Sequence, residues 1–152
     1  MKKVTIFLLI FSMIFSLSAS IAYAVNWKFC CENDEWEMSF DKDSIKRQKD
    51  YYLVWFETIY KQGHEPKINV GSYYTPKYKN ADVCRAQYAI KYDGSAMQCL
   101  YRVYYFGEKM QDYYESFDRH GKINDNAWDT IVPDTIGEDM YKATKPKRFG
   151  IF

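Results

Sequence analysis

The sequence predicts an α+β fold: a single antiparallel β-sheet of about five to six strands, with a C-terminal α-helix packed on one face. Three observations predict this class. Aromatic residues make up 19% of the 152-residue chain, and such side chains favour strands. Asp93-Gly94 separates two runs rich in aromatic and β-branched residues, which is typical of a β-hairpin. Apolar residues recur at helical spacing between residues 135 and 145, near the end of the chain.

Residues 1–24 are predicted to be a signal peptide rather than part of the fold. Lys2 and Lys3 precede an apolar run over residues 4–17, and Ala22-Tyr23-Ala24 provides a small-x-small cleavage site before Val25. The apolar run is short for a membrane span. We therefore expect export to the periplasm, the cell surface or the medium, with membrane contact only through this peptide before cleavage.

Residues 25–152 have the size of a single domain with one core. Removing Lys2 and Lys3 from the 21 basic residues of the chain leaves 19, against 20 acidic residues. This balance argues against a nucleic-acid partner held by bulk charge. The oligomeric state is left open by the sequence.

The strands are predicted from alternating or continuous apolar runs. Residues 51–60 are apolar on both faces and are expected to form a central strand. Residues 61–79 contain glycines and prolines and predict a long loop or irregular edge. The other predicted strands are residues 27–31, 36–40, 83–92, 95–106 and 110–117.

The C-terminal helix is predicted to begin at a capping box, in which Thr135 and Glu138 satisfy free amide groups of the first turn. Ile136, Met140 and Ala143 would form the apolar stripe that packs on the sheet. Residues 146–152 are expected to be a flexible tail.

Four cysteines in an exported chain predict two disulfides. If the hairpin closes on Asp93-Gly94, Cys99 lies opposite Tyr88 and Cys84 lies opposite Val103. The two cysteines are then about 13 Å apart along the strands, which is too far for a disulfide.

Cys30 and Cys31 are adjacent, so we expect each to bond one of Cys84 and Cys99, with the pairing left open. A metal site is the weaker alternative, because His64 and His120 are the only histidines and both lie in polar, loop-like contexts.

The candidate protein-binding surface interleaves tyrosine with basic residues, the types that contribute strongly to interfaces. The alternative is that these aromatic residues pack a loop on the sheet. The surface comprises Tyr73, Tyr74, Lys77, Tyr78, Lys79 and Arg85. A second group could stack sugars or apolar ligands, although cross-strand packing also explains it: Tyr101, Tyr104, Tyr105, Tyr113 and Tyr114.

No catalytic residue, cofactor site or metal site is predicted. The sequence lacks a nucleophile elbow, a phosphate-binding loop and a dinucleotide fingerprint. The acidic pairs Asp34-Glu35 and Glu138-Asp139 are typical of a solvated turn and a helix start. We therefore expect a protein that is not an enzyme, with a small secreted hydrolase as the weaker alternative.

The order of several short motifs resembles the surface-adhesin E family of small exported bacterial proteins. The resemblance spans about residues 36–144. Its motifs are Met38–Asp41 with Ser44-Ile45, Val54–Phe56, Gln87–Ile90, Tyr104–Gly107, and Trp128–Ile131 followed by Pro133, Thr135 and Gly137-Glu138.

The resemblance implies an antiparallel sheet covered by the C-terminal helix, and an adhesin-like role in binding host or extracellular-matrix proteins. In that family a disulfide commonly joins helix to sheet, but the corresponding positions here, Tyr92 and a residue near Lys145, are not cysteines. The alternative function is a periplasmic domain that binds a small apolar or aromatic ligand between helix and sheet.

Overall fold

The structure of the chain is a computed structural model that describes residues 25–71, 74, 77–107, 112–116 and 121–146. Residues 1–24, Tyr73 and residues 147–152 lie outside this range. The described strands are β1 (Trp27–Glu32), β2 (Trp36–Asp41), β3 (Lys46–Arg47), β4 (Tyr51–Tyr60), β5 (Lys67–Asn69), β6 (Tyr78–Asn80), β7 (Val83–Lys91), β8 (Ala96–Phe106), β9 (Asp112–Ser116) and β10 (Asp129–Thr130), and the helix is α1 (Ile136–Thr144).

The predicted fold class is confirmed. Within the described residues, eight strands form one antiparallel sheet in the order β1-β2-β4-β7-β8-β10, with β3 also paired to β4 and β9 to β8. β4 is central, as the apolar residues on both of its faces predicted. β5 and β6 form a separate two-stranded ribbon within the segment predicted to be an irregular loop.

The hairpin between β7 and β8 keeps the predicted register only next to its turn. Tyr88 pairs with Cys99, as expected, but a bulge then shifts the pairing by one residue, so that Cys84 faces Tyr104 rather than Val103. The turn also differs from the predicted two-residue form. The Gly94 amide donates to the Lys91 carbonyl oxygen at 3.0 Å, so residues 92 and 93 are its central positions, and Gly94 follows with a φ of 73°.

Helix α1 begins after Thr135, but the predicted capping box is wrong. The Thr135 hydroxyl donates to the Val132 carbonyl at 2.6 Å, and the Glu138 carboxylate accepts from the Asp134 amide at 2.9 Å. The carboxylate therefore holds the loop before the helix, one residue earlier than a capping box requires.

The predicted apolar stripe is also wrong in part. Met140 and Thr144 are the buried residues of α1, whereas Ala143 is exposed and Ile136 is 44% exposed. Residues four apart share one helix face, and the face containing Met140 and Thr144 contacts the sheet. Gly137 lets the first turn approach closely, since a Cβ there would lie 3.2 Å from the Met97 sulfur.

Hydrogen bonds made by hydroxyl groups join α1 to the sheet. The Thr144 hydroxyl donates to the Met140 carbonyl at 2.6 Å, so the Tyr52 hydroxyl, 2.9 Å away, donates to the Thr144 oxygen. The Tyr141 hydroxyl donates to the Tyr92 carbonyl at 3.0 Å, and its ring covers Gly94. The backbone of Tyr92 is thus joined to the helix by a hydrogen bond.

The predicted disulfides are wrong, because none of the four cysteines forms a disulfide in the structure. Cys30 and Cys31 lie on β1, while Cys84 lies on β7, and both β2 and β4 run between these strands. Three strand spacings correspond to about 14 Å, and a disulfide needs Cα atoms within about 7 Å. Cys99 lies one strand farther away.

Side-chain alternation gives the sheet two different faces. We call the side under α1 the helix face; Phe40, Tyr52, Val54, Phe56 and Ile90 form its core with Met140. We call the other side the opposite face. Part of it is covered by the chain before β10, where buried Gln98 donates to the Asn124 and Ala127 carbonyls. No helix in the described part of the chain is long and apolar enough to cross a membrane.

Candidate functional site

A pocket lies on the helix face because α1 is too short to cover the sheet. Nine helical residues span about 14 Å, whereas the ten residues of β4 span about 33 Å. The helix covers the end of the sheet near the hairpin turn and leaves the far end of β4 open. Ile136 and Met140 form the border between the covered and open parts.

The pocket has a volume of about 360 Å³, within the range of small-molecule sites. Its described walls come from four strands and the helix, and five of the described side chains are aromatic. The described lining residues are Trp36, Met38, Phe56, Thr58, Tyr60, Cys84, Ala86, Tyr88, Arg102, Tyr104, Ile136 and Met140.

A β-bulge creates the polar side of this pocket. Tyr88 pairs with Cys99, yet Gln87 pairs with Tyr101, so Leu100 is the extra residue on β8. Strict alternation after Cys99 would direct Tyr101 to the helix face and Arg102 to the other side. The extra residue reverses this, and Arg102 enters the pocket. Bulges are frequent beside functional sites because they re-aim side chains in this way.

The hydroxyl and thiol groups around Arg102 are held in their neutral forms. Burial raises the pKa of Tyr88 to about 12, and Cys99 adds to the effect while Arg102 opposes it. Burial likewise raises the pKa of Cys84 to about 12 and raises the pKa of Tyr60 and Tyr104. At neutral pH these groups are dipoles, and Arg102 is the charged member of the described lining.

The structure divides the residues of the predicted protein-binding surface between two places. Lys77 precedes β6, and Tyr78 and Lys79 belong to β6 in the separate ribbon. Tyr74 and Tyr78 are 88% and 63% exposed, and the Lys79 ammonium lies 5.6 Å from the centre of the Phe106 ring. Tyr73 lies outside the described residues.

Arg85 is not part of that ribbon; it lies on the opposite face of the main sheet. Its Nε donates to the Glu57 carboxylate at 2.6 Å, and its guanidinium lies between the rings of Trp27 and Tyr105, at 5.5 and 5.0 Å from their centres. Burial acts to lower the pKa of Arg85, but the Glu57 carboxylate outweighs it and the pKa is raised.

The predicted tyrosine platform is likewise split by the sheet. Tyr101 stacks on Trp55 and Tyr105 contacts Arg85, both on the opposite face, whereas Tyr104 lines the pocket. The side chains of Tyr113 and Tyr114 lie outside the described part of the structure. Sequence reasoning missed Arg102 as a pocket residue because its placement depends on the bulge in β8, and it missed Cys84 because that residue was assigned to a disulfide.

Among the described residues, no three His, Cys, Asp or Glu side chains converge as metal ligands would. Comparisons of the chain with family models, curated proteins and solved structures found no match.

Proposed function

We propose that this chain is a non-catalytic binding protein whose pocket between α1 and the sheet takes a small apolar or aromatic ligand. The pocket itself carries this proposal: about 360 Å³ of space, bounded by aromatic and aliphatic side chains and open beside Ile136 and Met140. Trp36, Tyr60 and Tyr104 offer rings against which a flat ligand can pack.

The chemistry of the described lining supports binding over catalysis. Cys84 is the candidate nucleophile, but burial raises its pKa to about 12, and the thiolate is the reactive form. The described lining residues include no carboxylate or imidazole to act as its base.

A neutral fluorescent probe tests the pocket directly. Titration with 1-aminoanthracene should give saturable binding in the wild type. Ala86→Leu fills the pocket floor and should weaken binding at least about tenfold, since little space remains for the ring. Ala143→Leu makes the same change on the exposed side of α1 and should leave binding intact. No saturable binding, or equal losses in both variants, would overturn the proposed function.

The predicted export would place this activity in the cell envelope or outside the cell, and that prediction rests on the signal-peptide pattern of residues 1–24. N-terminal sequencing of the protein isolated from its native cells should begin at Val25. A chain that begins at Met1 in the cell fraction would contradict it.

Adhesin-like protein binding is the second candidate, supported by the exposed tyrosines of the ribbon. Tyr74 and Tyr78 display large aromatic surfaces next to Lys77, the pattern found in interface cores. Immobilised extracellular-matrix proteins should capture the wild type, and a Lys77→Ala/Tyr78→Ser variant should lose most of that capture. Ala86→Leu should not affect it. Equal capture of wild type and double variant would exclude the ribbon as the binding surface.

A further inference from the structure

Arg102 occupies an unusual position for a charged residue. Its guanidinium is half-buried at the side of the pocket, next to Tyr88 and Tyr104. A buried charge is normally paired with an opposite charge. No carboxylate pairs with Arg102 among the residues whose side chains the structure describes.

The groups around Arg102 complete a set of hydrogen-bond donors. The hydroxyls of Tyr60, Tyr88 and Tyr104 line the same pocket, and a neutral phenol can donate one hydrogen bond. A guanidinium has five N–H donors in a planar fork that matches a carboxylate. A site with one positive charge and several neutral donors suits a ligand that has one negative charge better than a ligand that has two.

We propose that the pocket selects ligands with a single anionic group, which binds Arg102 and the adjacent tyrosine hydroxyls, while an apolar or aromatic body packs against Trp36, Met38 and Met140. This inference rests on the proposed small-molecule function and specifies its ligand class: an aryl or alkyl monoanion such as a carboxylate. The ligand supplies the counter-charge that the described residues do not.

The opposite face shows why Arg102, and not Arg85, is assigned this role. Arg85 already has a carboxylate at 2.6 Å and an aromatic ring on each side. A ligand anion there would compete with Glu57, whereas in the pocket it would meet no described carboxylate.

Two ligands that share a ring system and differ in charge test the inference. Isothermal titration calorimetry at pH 7 compares naphthalene-2-carboxylate with naphthalene-2-methanol. The wild type should favour the carboxylate by about tenfold or more, the size expected for a charge-assisted hydrogen bond. Arg102→Met should reduce this ratio to about one. Arg102→Lys, which keeps the charge without the planar fork, should give an intermediate ratio.

Arg47→Met is the matched control, since it removes an exposed arginine on β3 that does not line the pocket. It should keep the wild-type ratio. A wild-type ratio near one would overturn the inference even if Arg102→Met failed to fold, and so would an unchanged ratio in Arg102→Met. If 1-aminoanthracene binds in the pocket but the ratio is near one, the anion inference fails while the proposed function stands. If 1-aminoanthracene does not bind, the proposed function fails and the anion inference, which rests on it, fails as well.

Discussion

Two arginines on opposite faces of the same sheet have contrasting surroundings. Arg85 is held by the Glu57 carboxylate and two aromatic rings, while Arg102 lies among neutral hydroxyls and a thiol in an open pocket. A charge whose partners come from its own fold contributes to stability. A charge that no described carboxylate pairs with is available to a ligand anion, and its desolvation is a cost that the ligand can offset.

Alkaline pH should have the largest effect on the stability of the fold, and it should act through side chains of the helix face. Burial raises the pKa of Tyr52 and Tyr88 to about 12, from 10.0, and that of Cys84 to about 12, from 9.0. A raised pKa means that the fold favours the neutral acid. The stabilisation is therefore complete below about pH 9 and is lost as the pH rises to about 12. The raised pKa of Arg85 keeps the opposite face charged in this window.

Denaturant midpoints measured from pH 8 to pH 12 test this expectation. They should be constant up to about pH 9 and then fall. Tyr88→Phe removes one titrating group and should make the fall shallower, whereas Tyr78→Phe, at an exposed site, should reproduce the wild-type curve. A wild-type denaturant midpoint that stays constant up to pH 12 would contradict the burial of Tyr52, Tyr88 and Cys84.

Replacing each arginine by methionine compares the two faces directly. Arg85→Met leaves the Glu57 carboxylate, 8% exposed, without its partner. We expect a loss of about 2–3 kcal/mol in unfolding free energy, less than for a fully buried pair because the Arg85 side chain is 34% exposed. Arg102→Met removes a charge that no described carboxylate pairs with, and should change stability by less than about 1 kcal/mol. Urea denaturation measures the unfolding free energy of both variants. Equal losses would contradict the difference between the surroundings of Arg85 and Arg102.

The hydrogen bond between the Tyr52 and Thr144 hydroxyls, beneath α1, can be compared with the two arginine sites because it involves no charged group. Thr144→Val leaves the buried Tyr52 hydroxyl without an acceptor and should cost about 2 kcal/mol, whereas Tyr52→Phe removes the donor and should cost about 1 kcal/mol. Because both changes break one interaction, the double variant should be more stable than the summed losses imply. Strict additivity in chemical denaturation would show that the two hydroxyls do not interact.

The smallest effect is expected at the exposed pair in α1, where the Lys142 ammonium lies 2.9 Å from the Glu138 carboxylate. Solvent and salt screen such pairs. Lys142→Ala should leave the denaturation midpoint within experimental error. A clear decrease would show that surface ion pairs contribute more here than the contrast between the arginines assumes.

Much of the fold follows from local sequence patterns. The strands around residues 36–40 and 51–60, the hairpin, and a helix after Pro133 are all signalled by apolar periodicity and turn residues. The register beside the turn is also correct, since Cys99 pairs with Tyr88.

A ligand site between helix and sheet was among the predicted alternatives, but its polar side could not be predicted, because it depends on one extra residue in β8. No feature near Leu100 marks the bulge, and without it Val103 and not Tyr104 would face Cys84. Arg102 would then lie on the opposite face.

The disulfide prediction failed for a different reason: cysteine counting gives no information on strand order, and β2 and β4 separate the expected partners.

The resonances of the two arginine side chains test the central contrast most directly. In a ¹H–¹⁵N spectrum, the Nε–Hε signals of Arg85 and Arg102 can be followed during titration with naphthalene-2-carboxylate. The Arg102 signal should shift progressively to saturation, because its guanidinium gains the anion, while the Arg85 signal stays fixed by Glu57. A shift of Arg85 alone, or of neither signal at saturating ligand, would contradict the account.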